Sequence, residues 1–123
     1  MIRKSKQRNT ILEVLAKAKR PLSIKEILEY AETKVPKLGI ATVYRAINHY
    51  LQSEEVSEVE LPGSIKRYEI RSRHHYHHFW CRACDQVFRV EGCPGKLNFQ
   101  PPRGFRAEMH EVTFKGLCIE CCR

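Results

Sequence analysis

Apolar residues along the first third of the chain recur at helical intervals. From Gln7 to Ala18, Ile11, Leu12, Val14 and Leu15 form one inward stripe, and Arg20-Pro21 ends the run. A second helix follows at once. Ser23 stands at the N-cap position with Glu26 three residues on, the spacing of a capping box, while Ile24, Ile27, Leu28 and Ala31 face inward and Pro36 closes the segment. After Lys37-Leu38-Gly39 a third helix is predicted from about Ala41 to Gln52, with Val43, Ile47 and Leu51 inward and Thr42, Tyr44, Arg45 and Asn48 largely outward. Three short helices with tight turns predict a helix-turn-helix core.

The period then changes. Val56–Leu61 and Ile65–Ile70 read as strands around the turn Pro62-Gly63-Ser64, and a hairpin in this place makes the helical core winged. Beyond Arg71-Ser72-Arg73 the composition shifts: five of the six histidines and all six cysteines lie from His74 onward. Two domains are therefore expected, residues 1–71 and residues 72–123.

Charge adds a partner to this picture. The chain of 123 residues carries a net +8, and Met1 to Arg20 holds seven basic residues (Arg3, Lys4, Lys6, Arg8, Lys17, Lys19, Arg20) against the single acid Glu13. A basic arm and helix before a reading helix suits nucleic-acid phosphates; by itself it equally suits a merely soluble terminus. Arg8, Thr42, Tyr44, Arg45 and Asn48 are the candidate DNA contacts, packing against the wing being the alternative use of the Tyr44 ring. With a basic, amphipathic start and no stretch apolar enough to cross a bilayer, the expected setting is a reduced cytoplasm without membrane association.

In that setting Cys81-Arg82-Ala83-Cys84 and Cys118-Ile119-Glu120-Cys121 read as two zinc knuckles. Four thiolates complete a tetrahedral shell with no open position, so a structural role follows; Cys122, directly after Cys121, competes for the fourth place, and a redox reading of either pair alone is the weaker alternative. A second site is suggested by the histidines. A strand from His74 to Trp80 puts His75 and His77 on one face, and a strand from Phe105 to Lys115 puts His110 on a face with Val112 and Phe114. Cys93, in the loop-like Glu91–Gly95, completes a candidate regulatory tetrahedron of His75, His77, Cys93 and His110, suited to Zn(II); a solvated histidine cluster with a buried thiol is the competing reading.

Taken together, Gln7-Arg8, Gly39-Ile40-Ala41-Thr42-Val43-Tyr44-Arg45, Arg67-Tyr68-Glu69, the histidine cluster before the first knuckle, and Gly116-Leu117-Cys118 resemble the ferric uptake regulator family over nearly the whole chain. The resemblance implies an α+β protein, a winged helix followed by a small α/β dimerisation domain with a four-cysteine zinc site. It implies a homodimeric, metal-responsive repressor acting on a double-stranded operator and not an enzyme, with Tyr44 and Arg45 at the major groove and backbone. His75 and His110 fall at the family's sensing histidines. His77 stands where many iron-type members have Asp and Cys93 near the place of a Glu, so the ligand set moves from oxygen towards nitrogen and sulfur and favours zinc.

Of the counterparts to the family's hinge site (Arg20 or Pro21, Glu69, Tyr76, His78, Arg89), only Glu69 and His78 keep ligand chemistry. Arg20 or Arg89 is then a candidate fixed charge for Glu69. Prolines 94, 101 and 102 with Gly95 and Gly104 leave only a turn of helix near Lys96–Phe99, where the family has a dimerisation helix. Two other readings stand beside a zinc-sensing regulator: a DNA-binding protein keeping only structural zinc, and a zinc hydrolase, against which speaks the lack of an HExxH-like pattern.

Overall fold

The computed structural model describes residues 2–74, 76–92 and 101–123. The chain divides into two compact units, Met1–Ser72 and Arg73–Arg123.

In the first unit, helix α1 spans Ile2–Ala18 and so starts earlier than Gln7. Lys, Arg and Gln are good helix formers and no Gly or Pro interrupts them, so the stretch expected as a basic arm is helical backbone. Lys19, at φ 54°, ends the helix in the left-handed region just before the proline-restricted Arg20. Helix α2, Ile24–Glu32, opens on the anticipated capping box: the Glu26 amide donates to Ser23 Oγ at 3.2 Å and the Ser23 amide donates to Glu26 Oε1 at 3.1 Å. Helix α3, Ile40–Gln52, buries Val43, Ala46, Ile47 and Tyr50. Leu51, expected inward, is only half-buried, because the 43-46-47-50 spacing already fills the inner face.

Ile11, Leu15, Leu22, Ile27, Val43 and Ile47 form the centre of this core, none more than 2% exposed. The hairpin is shorter than the apolar runs suggested. Strands β1, Val56–Val59, and β2, Arg67–Ile70, pair antiparallel with Val56 opposite Ile70 and Val59 opposite Arg67. Ile65 is 59% exposed and belongs to the connection, in which Gly63 takes φ 72°. Leu22 adds a bridge to Tyr68 through two backbone hydrogen bonds of 2.8 Å, tying the start of α2 to the hairpin. A single bridge has no periodicity, so no pattern announced it.

In the second unit, β3 (His77–Cys81) pairs antiparallel with β4 (Val87–Val90) and parallel with β5 (Thr113–Gly116), in the order β4-β3-β5. The strand expected from His74 begins at His77. The strand expected over Phe105–Lys115 reduces to Thr113–Gly116, since Pro101, Pro102 and Gly104, at φ 89°, precede an irregular stretch through Val112. The predicted turn of helix at Lys96–Phe99 lies outside the described residues. Among those described, no helix is long and apolar enough to cross a membrane.

Candidate metal centre and nucleic-acid interface

Two strands running the same way end at the same edge of a sheet, and this is how the two CxxC pairs meet. In the parallel β3–β5 ladder Cys81 lies opposite Gly116, so the chain leaving β5 delivers Cys118 beside the first knuckle. The first knuckle is closed by Cys81 N donating to the Gln86 carbonyl at 3.0 Å and Asp85 N to the Cys81 carbonyl at 2.9 Å, with Asp85 at φ 63°. The second is a turn in which the Cys121 and Cys122 amides both donate to the Cys118 carbonyl, at 3.1 and 2.9 Å.

The sulfurs of Cys81, Cys84, Cys118 and Cys121 all lie within 4.8 Å of one another, and Cys84 Sγ is 3.9 Å from Cys118 Sγ. Zn–S bonds of about 2.3 Å in a tetrahedron require sulfur separations near 3.8 Å, so the cluster fits a structural zinc. Cys122 is outside it, its exposed thiol donating to the Leu117 carbonyl at 3.4 Å.

The sulfurs differ in how firmly they hold a proton. Backbone amides of Cys84 and Cys118 donate to Cys81 Sγ at 3.4 and 3.5 Å, and the hydrogen bond from Cys84 leads in bringing the Cys81 thiol down to about 6 against the cost of its burial. Cys121 is pushed up to about 12, first by hydrogen bonding with Cys118 and Cys81 and then by burial. At the exposed Cys84 the Gln86 amide favours the thiolate, but partial desolvation together with Cys81 and Cys118 outweighs it and raises the thiol. Sulfurs this close cannot all ionise unless a cation joins them, so the cluster has the electrostatics of a metal site.

Of the second candidate set, His75 and Cys93 lie outside the described residues. His77 and His110 do meet: their rings stack with centroids 5.1 Å apart at 27°. His77 is 2% exposed, and its Nδ1 accepts a hydrogen bond from the Val112 amide at 3.2 Å. His110 reaches it from the irregular stretch before β5, not from a strand face shared with Val112 and Phe114. The fixed-charge idea for Arg20 gives way to a local bond: Arg20 Nη2 pairs with Glu26 Oε2 at 2.9 Å and so reinforces the capping box. Arg89 lies over the Tyr76 ring, 4.9 Å from its centroid.

On α3, Tyr44 is 49% exposed, so packing against the wing does not consume its ring. Arg45 and Asn48 are exposed, and Arg45 Nη2 donates to Thr42 Oγ1 at 3.2 Å. Arg8, on α1, is half-buried. Ile40, absent from the expected contacts, is half exposed one turn before Tyr44 on the same face.

A winged helix-turn-helix unit joined to a small sheet unit with a four-cysteine cluster defines the class of metal-dependent, DNA-binding transcription regulators. The ferric uptake regulator family model matches residues 1–114, and the chain belongs to that family. It is 26% identical over 118 residues to the ferric uptake regulation protein of Bacillus subtilis, covering 91% of this chain and 79% of the relative. The ferric uptake regulator of Helicobacter pylori, described as having three functional metal binding sites, superposes with a TM-score of 0.70 at 25% identity over 96% of this chain and 81% of that one. A zinc-bound manganese uptake regulator shares the fold, with a TM-score of 0.75 at 19% identity over 92% and 88% of the two chains. Family membership makes this chain a transcription regulator and not an enzyme, and the hydrolase reading falls with it.

Proposed function

We propose that this chain is a cytoplasmic, zinc-responsive repressor of metal homeostasis that binds a double-stranded operator as a homodimer. Residues 1–71 read DNA and residues 72–123 bind metal and dimerise. Arg8 and the α3 residues Thr42, Tyr44, Arg45 and Asn48 make the DNA contacts. Cys81, Cys84, Cys118 and Cys121 hold a structural zinc, and His75, His77, Cys93 and His110 hold a second zinc or other divalent metal that regulates. Exposed Phe105, Met109 and Phe114 on the second unit support assembly with another copy of the chain.

The observation that carries the sensing role is the buried His77 stacked on His110 with its Nδ1 engaged by the Val112 amide. In a neutral imidazole the nitrogen that accepts a hydrogen bond is also the one able to bind a metal. His77 therefore exchanges the Val112 amide for the ion, and the segment entering β5 shifts with occupancy. Nitrogen and sulfur donors favour zinc over iron or manganese in such a set.

Metal content per chain, measured before and after mild chelation, tests this reading. Two zincs are expected, the weaker lost first, and His77→Ala should retain one. A single zinc in the native protein, unchanged by His77→Ala, supports the alternative of a regulator with structural zinc alone.

A further inference from the structure

Within the first unit, Val14, Lys17 and Ala18 of α1 face Tyr30 of α2 and Thr33 and Lys34 just beyond it across a cleft of about 330 Å³, with Arg20 at its end. That volume is at the lower bound of small-molecule sites, about 300–1,000 Å³. Val14 and Ala18 supply an apolar back, and the rim is cationic.

The cations here are not equivalent. Arg20 is committed to Glu26 at 2.9 Å, and Lys34 has Glu13 at 3.7 Å with both side chains well exposed. Among the described residues, no carboxylate forms an ion pair with Lys17. Lys34 lies close enough to hold the Lys17 amine below the usual lysine range, first by hydrogen bonding and then by charge repulsion, while the charge of Glu13 offsets this in part. Two lysines at the mouth of a concave surface, with the one exposed Glu13 carboxylate shared between them, leave a net positive charge that favours a further anion. Arg20 Nη2 also lies 3.4 Å from the Tyr30 hydroxyl oxygen, which accepts from it and leaves the Tyr30 O–H to donate elsewhere. Thr33 is fixed in turn, its Oγ1 donating to the Tyr30 carbonyl at 2.7 Å.

We propose that the cleft between α1 and α2 binds a small organic anion, a phosphate monoester or carboxylate with a compact apolar body, through Lys17, Lys34 and Tyr30. The anionic group bridges the two ammonium groups and accepts from the Tyr30 hydroxyl, while the apolar body covers Val14 and Ala18. A duplex backbone offers no apolar body to fill a concave site of this kind. The site is independent of the metal centre and of the reading face of α3.

The test is titration of the full-length, zinc-loaded protein with phenyl phosphate and, separately, benzoate, followed by NMR at the Val14, Ala18 and Thr33 amides. Saturable shifts with a Kd in the millimolar range or tighter are expected for at least one probe. The double variant K17Q/K34Q should weaken binding about tenfold or more. Ala18→Leu, which fills the cleft without altering charge, should weaken it too. K25Q/K37Q, with the same charge change outside the cleft, should bind as the parent does. Absence of saturable shifts with both probes overturns the proposal, as does equal weakening in K25Q/K37Q or undiminished binding in K17Q/K34Q. Loss of DNA binding in K17Q/K34Q with no response to either probe assigns these lysines to DNA phosphates and also overturns it.

Discussion

Cys81 and Cys121 share one cluster yet hold their protons oppositely, the first near 6 under backbone amides, the second near 12 beside neighbouring sulfurs. At neutral pH the Cys81 thiol is already largely ionised, whereas Cys121 and the raised Cys84 still carry protons that a metal must displace. Loading zinc at pH 7 should therefore release at least the protons held by these two residues, and affinity should fall on acidification by about tenfold per released proton per pH unit. Calorimetry in buffers of differing ionisation enthalpy measures that release. The same geometry separates Cys121 from Cys122: Cys122→Ser should keep the tight zinc and Cys121→Ser should lose it, as metal analysis after dialysis will show. The spacing of the two CxxC pairs made this site readable from the chain alone. The choice between Cys121 and Cys122 was not readable, because it depends on a turn in which both amides point at the Cys118 carbonyl.

At the scale of elements, helices were easier to read than strands. Seven or more residues of 3.6-residue periodicity, a capping box and flanking prolines placed α2 and α3 closely. Strands of four or five residues give too few alternations to set their ends, and β4, Val87-Phe88-Arg89-Val90, was not anticipated at all. The parallel β3–β5 pairing, which brings the cysteines together, is a tertiary fact that no local pattern encodes. Two predictions belong here. Ser23→Ala removes the acceptor of the Glu26 amide and should lower the stability of the first unit by about 1 kcal/mol in urea unfolding. In the wing, Arg67 is 1% exposed and its Nη1 donates to Ser64 Oγ at 2.9 Å and to the Ile65 carbonyl at 3.2 Å. Arg67→Ala strips these acceptors of their donor and should cost about 1–3 kcal/mol by the same measurement.

Across the whole molecule the two units are held by different physics. The first buries a continuous apolar cluster from Ile11 to Tyr68. Among the described residues of the second, the buried apolar ones are Cys81, Val87 and Cys118, two of which are cluster sulfurs. With two of these three at the cluster, the described part of the unit depends on its metal. A chelator strong enough to strip the thiolate site should unfold the second unit, seen as loss of the Trp80 fluorescence signature, while the helical circular dichroism of the first persists. Occupancy of the histidine site should set DNA affinity, and the Kd for a duplex selected from a randomised pool, measured with one zinc per chain and with two, decides it. Coupling between sites is typically about 5- to 150-fold, and the second zinc should tighten binding within that range. Equal affinity at one and two zincs per chain would contradict it.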